Sequence, residues 1–223
     1  MKQSNQKSTM KTTSHSRVSL VDHMGSDLSV VNAARVSFDK FSEKFSDKDE
    51  KLIQYLAKHN HWSPFAHCFV SFRITAPIFV ARQLVKHQVG LSWNEVSRRY
   101  VDSEPEFYFP KEWRGKPENA KQGSSGIVKL DWFDLEGTIK EAFLAYTILL
   151  QQGVAPEQAR MVLPQNTMTE WIWSGSLYAF ARVCNLRLDS HAQLETQEVA
   201  KEIYSCLKAL YPVSTEALIE SVN

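Results

Sequence analysis

Between Arg82 and Tyr100 the chain reads R-Q-L-V-K-H-Q-V-G-L-S-W-N-E-V-S-R-R-Y, setting Arg82, Lys86, His87, Arg98 and Arg99 among Gln83, Ser92, Asn94, Glu95 and Ser97. Guanidinium groups grip phosphate and carboxylate oxygens in bidentate fashion, and amide or hydroxyl side chains can read a polar ring edge. The same run also fits a solvated helix face and the loop behind it. Two more polar clusters accompany it. One is His59-Asn60-His61-Trp62-Ser63-Pro64-Phe65-Ala66-His67, with three histidines between a helical and an alternating pattern. The other is Asn185-Leu186-Arg187-Leu188-Asp189-Ser190-His191-Ala192-Gln193, between two helical patterns.

Each cluster admits several chemistries. Four of the seven histidines, His59, His61, His67 and His87, fall in one neighbourhood. Their spacings match no zinc pattern and no acid sits at ligand spacing, so no metal is expected. Cys68 follows His67 directly, and neighbours on a strand face opposite sides, which rules out a Cys–His pair. Cys184 and Cys206 lie in apolar helical surroundings. Ser97, between charged neighbours and lacking an evident base, suits a phosphate better than nucleophilic attack. Arginine cannot serve as a general base, but it can stabilise an anion forming on a substrate. Arg160 and Arg187 are candidates for that role. A structural ion pair, Arg187 with Asp189, is the competing reading.

The elements that must hold these residues follow from periodicity. Arg17–Asp22 reads as a strand and Asp27–Arg35 as a helix opened by Ser26 after Gly25. Ser46 and Asp49 form a capping-box pattern ahead of Leu52, Ile53, Leu56 and Ala57, at helical spacing up to Asn60. From Ala66 the pattern alternates, with Ala66, Cys68, Val70, Phe72 and Ile74 on one face, as in a half-buried strand. Pro77 opens a helix whose apolar face is Ile78, Ala81, Leu84 and Val85, with Arg82 and Lys86 on its polar side. Pro105–Ser125 reads as a surface excursion. A long helix spans Trp132–Gln152, burying Leu135, Ile139, Phe143, Tyr146 and Leu150, with Gly153 closing it. Shorter helices start at Pro156 and at Ser176 or Leu177, and Thr196–Leu210 is amphipathic. The fold class expected is α+β, a mixed antiparallel sheet with several long helices. Residues 1–16, rich in Ser, Thr, Lys and Gln, read as a disordered extension, and 17–223 as a single catalytic domain.

With 223 residues, 43% hydrophobic and 23% charged, the chain can bury a sizeable core. A net charge of +1 argues against a bulk nucleic-acid binder. No apolar run is long enough to span a bilayer. Three cysteines without metal or redox spacing point to a reducing cytoplasm.

Taken in order, several blocks resemble the flavin-dependent thymidylate synthase family over about Val18 to Ala209. They are Asn32-Ala33-Ala34-Arg35-Val36-Ser37-Phe38, His61–His67, Ala76-Pro77-Ile78-Phe79-Val80-Ala81-Arg82-Gln83, Asn94–Tyr100, Ala159-Arg160-Met161-Val162-Leu163-Pro164 and Asn185–Gln193. The family signature is Arg-His-Arg, seven residues, then Ser. Here it is Lys86-His87-Gln88, eight residues, then Ser97. Both arginines are replaced, and a lost charge-assisted hydrogen bond costs about 1.5–3 kcal/mol. Lys86 keeps one charge.

The resemblance implies the family's fold and methylation of dUMP to dTMP. Methylenetetrahydrofolate would be the carbon donor and NADPH the reductant, acting through FAD. It implies Arg187 as the catalytic residue, stabilising charge as the pyrimidine N3 ionises. Implied dUMP contacts are Gln83, Leu84, Val85, Lys86, Glu95, Val96, Ser97, Arg98, Arg99, Arg160 and Arg187. Implied FAD contacts are Ser63, Lys86, His87, Gln88, Glu95, Gly175, Ser176, Leu177, Arg182 and His191, with His61 near the flavin. It also implies a homotetramer with active sites shared between chains. Two alternatives remain: a flavoprotein of this fold with degenerate or oxidase activity, and a single-strand nucleic-acid module using Trp93 or Tyr100 for stacking.

Overall fold

A computed structural model of the protein describes residues 10–101, 103–118 and 123–219. Strand β1 (Lys11–Thr13) lies within the segment expected as an extension, and most of that segment, residues 1–9, lies outside the described residues. Strand β2 (Arg17–Met24) runs on past Asp22, with a register shift between Leu20 and Asp22. Gly25 then turns the chain at φ 88°. A Cβ there would sit 2.9 Å from Cys68 Sγ, so backbone and packing both require glycine. Helix α1 (Asp27–Arg35) follows, with Ser26 and Ser29 forming its capping box.

Helix α2 (Asp47–Lys58) starts at the Ser46–Asp49 box, where Asp49 Oδ2 accepts from Ser46 N at 2.8 Å and Oγ at 2.7 Å. Arg35 of α1 reaches the same buried carboxylate at 2.5 Å, which ties α1 to α2. Burial opposes the charge on Asp49, yet the hydrogen bonds from Ser46 and Arg35 outweigh it and hold the carboxyl below its ordinary range.

The expected strand begins later than Ala66. Ser63–His67 forms a 3-10 turn, with Pro64 in its first positions, and strand β3 runs from Phe69 to Pro77. Proline fixes a helical φ there, so Ala66 and His67 belong to the turn. Cys68, Val70, Phe72, Ile74 and Ala76 are buried, so the inward face beyond the turn matches the alternation. Helix α3 (Ile78–Leu84) buries Val80, Ala81 and Leu84, while Ile78 and Val85 stay partly exposed. Its orientation is set by Ile78 N, which donates to Thr167 O at 2.9 Å. The helix ends at Leu84, so Lys86 lies beyond it and does not share a helical face with Arg82.

Strand β4 (Leu91–Glu95) was not evident from periodicity. Neither was β5 (Glu106–Tyr108), which pairs in parallel with β1 and buries Phe107 and Tyr108. With the hairpin of β6 (Trp113–Gly115) and β7 (Ser125–Val128), β5 makes the 105–125 segment part of the structure, not only a surface excursion. Residues 119–122 of it lie outside the described ones.

Helix α4 (Leu135–Gln151) begins after Trp132 because Asp134 caps it, accepting from Gly137 N at 2.8 Å. Of the expected inner face only Ile139 and Tyr146 are buried. Helix α5 (Pro156–Ala159) leads into a 3-10 turn, Arg160–Val162. Strand β8 (Met168–Ser176), also unforeseen, precedes α6 (Leu177–Arg187), capped by Ser176 Oγ accepting from Ala179 N at 3.2 Å. Helices α7 (Leu194–Leu210) and α8 (Pro212–Leu218) complete the described chain.

The main sheet has the order β2-β3-β8-β4, antiparallel throughout. One face packs against the helices through Phe72, Trp173 and Phe180, whose rings meet edge to face at 5.1 and 5.2 Å. The fold is α+β as the patterning implied. No described helix is long and apolar enough to cross a membrane.

Candidate active site

A cavity of about 920 Å³ opens where the end of α3, the β6–β7 hairpin, α4 and the loop between α6 and α7 converge. Gln83, Arg187 and His191 from the expected site all line it, together with Tyr108, Arg114 and Glu195. Volumes of this size suit a nucleotide-sized ligand.

Arg187 is the last residue of α6, and its Nε donates to His87 Nε2 at 2.9 Å. That bond requires an unprotonated acceptor on His87. Burial, then the Arg187 and Arg182 charges, push the His87 pKa down to about 4, so the ring is neutral at ordinary pH. Arg187 is therefore not paired with Asp189, which instead accepts from His191 N at 2.7 Å and lies 3.1 Å from its Nδ1. The two terminal nitrogens of Arg187 make no hydrogen bond among the described residues. They remain available to an anion in the cavity.

Gln83 is held from two sides. Its Nε2 donates to Gln193 Oε1 and its Oε1 accepts from Thr196 Oγ1 at 3.2 Å. Gln193 Nε2 donates to Glu195 Oε2 at 3.0 Å, and Glu195 Oε1 pairs with Arg114 at 2.6 Å. Arg114 Nε is anchored on Ser124 at 2.8 Å. The Tyr108 hydroxyl lies near this carboxylate, and burial, then Glu195 and Glu198, push it up to about 12. Arg114, Glu195 and Tyr108 escaped the sequence reading. Arg114 and Tyr108 sit in a segment that looked like surface, and no local spacing links them to Gln83.

The remaining expected residues lie elsewhere. Glu95 ends β4, accepting from Thr169 Oγ1 at 2.7 Å and Trp93 Nε1 at 3.2 Å, with Trp93 stacked on Trp171 at 4.3 Å. Ser97 Oγ accepts from Arg99 Nε at 3.1 Å, and Arg98 donates to Ser103 O at 2.8 Å. None of Glu95 to Arg99, Lys86 or Arg160 lines the cavity. Val96 and Arg99 are exposed at the sheet edge, and Arg160 is exposed beyond α5. Leu84 is buried and Val85 partly so, with Val85 N donating to Ala81 O at 2.9 Å and Leu84 O accepting from His87 N at 3.0 Å. His61 and Arg182 share a second groove, of about 530 Å³, with Trp62 and Tyr178. Ser63 is exposed nearby. Gly175 and Leu177 are buried, and Leu177 N is spent on Cys68 O at 2.9 Å.

The cysteines are poor nucleophiles. Cys68 and Cys184 are buried, which pushes both thiols up to about 12. Cys206 is partly buried and likewise raised.

Comparison with known proteins gives a consistent picture. The profile of the thymidylate synthase complementing protein family matches residues 19–213. A flavin-dependent thymidylate synthase from Thermosipho africanus is 41% identical over 206 residues, covering 90% of each chain. One from Thermus thermophilus is 42% identical over 206 residues, 91% of this chain and 75% of its own. Among solved structures, a UMP/dUMP methylase PolB from Streptomyces cacaoi, bound with 5-Br dUMP, superposes with a TM-score of 0.83. It is 32% identical, with 93% of this chain and 96% of that chain covered.

Proposed function

The chain belongs to the thymidylate synthase complementing protein family, and from that premise we propose that it is a flavin-dependent thymidylate synthase. It converts dUMP to dTMP, with FAD as cofactor, methylenetetrahydrofolate as carbon donor and NADPH as reductant. The observation that carries this reading is the Arg187 guanidinium at the cavity wall, oriented by a neutral His87, in a chain whose three thiols are all pushed up. A synthase that attacks the pyrimidine with cysteine needs an accessible thiolate. A synthase that does not must make the ring nucleophilic by stabilising negative charge upon it.

Arg187 has the chemistry for that task. Its Nε is fixed on His87, and its terminal N–H groups can bind the oxygen flanking an ionising N3. Gln83, held by Gln193 and Thr196, supplies an oriented amide beside it. Ser97, Arg98, Arg99 and Arg160 are the candidates for the phosphate, and their distance from the cavity supports a second chain completing each site. We therefore extend the proposal to a homotetramer. The donors suit FAD: Lys86 and Arg182 make no ion pair among the described residues, and Arg182 beside Ser63 at the second groove offers charge and a donor to a pyrophosphate, with Lys86, Gln88 and His191 offering theirs from other parts of the chain. When bound, FAD would supply two-electron transfer from NADPH. A cytoplasmic setting is supported by three free thiols.

The test is the visible absorbance of the FAD-reconstituted protein, with and without dUMP. A bound-flavin spectrum that shifts on adding dUMP is expected. A flavin indifferent to dUMP would instead favour a protein that keeps the fold and has lost the synthase reaction.

A further inference from the structure

A chain of side chains runs from the hairpin to the cavity wall: Arg114, Glu195, Gln193, Gln83 and Thr196. Its members differ in what they can do. Arg114 only donates, and the Glu195 carboxylate only accepts. The two carboxamides between Glu195 and Thr196 can be read either way round, and the Thr196 hydroxyl can rotate to suit either. The charged end therefore fixes the sense of the whole row. Glu195, 4% exposed, accepts from Arg114 on one oxygen, so its other oxygen must face a donor, and it accepts from Gln193 Nε2. The carbonyl of Gln193 must then face Gln83, and it receives Gln83 Nε2. The carbonyl of Gln83 is left for Thr196.

We propose that Glu195 is a positioning residue that sets, through Gln193, which end of the Gln83 carboxamide is donor and which is acceptor toward the nucleotide. The inference rests on the synthase reading, in which Gln83 contacts dUMP. In this arrangement one Nε2–H and one Oε1 lone pair of Gln83 remain for a ligand in the cavity. Reversing the row would exchange them and present a donor where the ligand offers a donor.

The substitution Glu195→Gln is nearly isosteric and makes a specific reversal. Arg114 holds the oxygen of the new carboxamide, whose nitrogen then faces Gln193 and turns each amide of the row in sequence. The dissociation constant for dUMP and KM should rise about tenfold, with kcat changed far less. Adding Gln193→Glu puts an acceptor-only group between two N–H groups and restores the native sense at Gln83, so the double variant should bind dUMP more tightly than Glu195→Gln alone. Gln193→Glu alone, with two adjacent carboxylates, should be the weakest of the set. If Glu195→Gln does not fold, Gln193→Met cuts the row without touching the Arg114 pair and should raise KM similarly.

The measurement is calorimetric dUMP binding to the FAD-loaded protein, alongside steady-state kinetics. Unchanged dUMP binding in Glu195→Gln or Gln193→Met, or no rescue in the double variant, overturns the inference while the synthase reading stands. An unmodified protein that binds no dUMP overturns both.

Discussion

Arg187 and His87 form the pair on which the proposed chemistry turns, and each gives an expected outcome. Removing the guanidinium with Arg187→Ala should lower dTMP formation at least about a hundredfold while the flavin stays bound, as read by product chromatography and by absorbance on one sample. Retained turnover would remove Arg187 from the reaction. His87 carries a pH signature. Its folded pKa, about 4, lies below its ordinary value of 6.5. Between those values the unfolded chain binds the proton and the folded chain does not, so stability falls as pH drops through that window. Arg187 and Arg182 are the charges that face it. The thermal midpoint of the unmodified protein should therefore fall more between pH 7 and pH 5 than that of His87→Gln.

At the scale of elements, the edge strand β4 is held by an unusually close approach to β8. A Cβ on Gly175 would lie 2.5 Å from both Gly90 O and Leu91 Cδ2, well inside contact distance, and one of those atoms is backbone. Gly175→Ala should therefore push β4 away from its partner at a cost of about 1–3 kcal/mol. Because β4 leads directly into Ser97, Arg98 and Arg99, dUMP binding should weaken along with the melting temperature. A variant with native melting and native dUMP affinity would show that β4 does not position the phosphate group. The hairpin of β6 and β7 plays a comparable part, since its Arg114 fixes the carboxylate that orders the opposite wall.

For the whole molecule, the single chain separates its expected site residues. Gln83, Arg187 and His191 gather at the cavity, whereas Glu95 to Arg99 lie away from it, at the end of the edge strand β4 and in the residues that follow. Outside the expected inner face, α4 leaves Leu144 at 59% and Ile148 at 47% exposed, with Met161 and Val162 also exposed. Exposed apolar surface of this kind is the mark of an interface. Light scattering on the purified protein should give about four times 25.5 kDa, and Ile148→Glu should lower the assembly state. If dUMP binding is shared between chains, it should fall with assembly while circular dichroism is kept. A monomeric variant that binds dUMP fully would disprove shared sites.

Local chemistry determined much of this protein. The Ser26 and Ser46 caps, the left-handed Gly25 and Gly153, and the inward face of β3 are all set by residues within a few positions of one another, so spacing alone exposed them. The polar clusters also marked Gln83, Arg187 and His191, because dense donors in a short span have few uses in a core. Strands β4, β5 and β8 were not legible. Their stability comes from pairing partners far along the chain, Trp93 against Trp171 for example, and no short window holds both. The same holds for the site. That Arg187 leans on His87 and not on Asp189, and that Glu195 orders Gln83 from the far side of a hairpin arginine, depends on which distant elements meet. Sequence fixes what each group can donate or accept; only tertiary packing, by bringing together residues about a hundred positions apart, decides what each is given to bind.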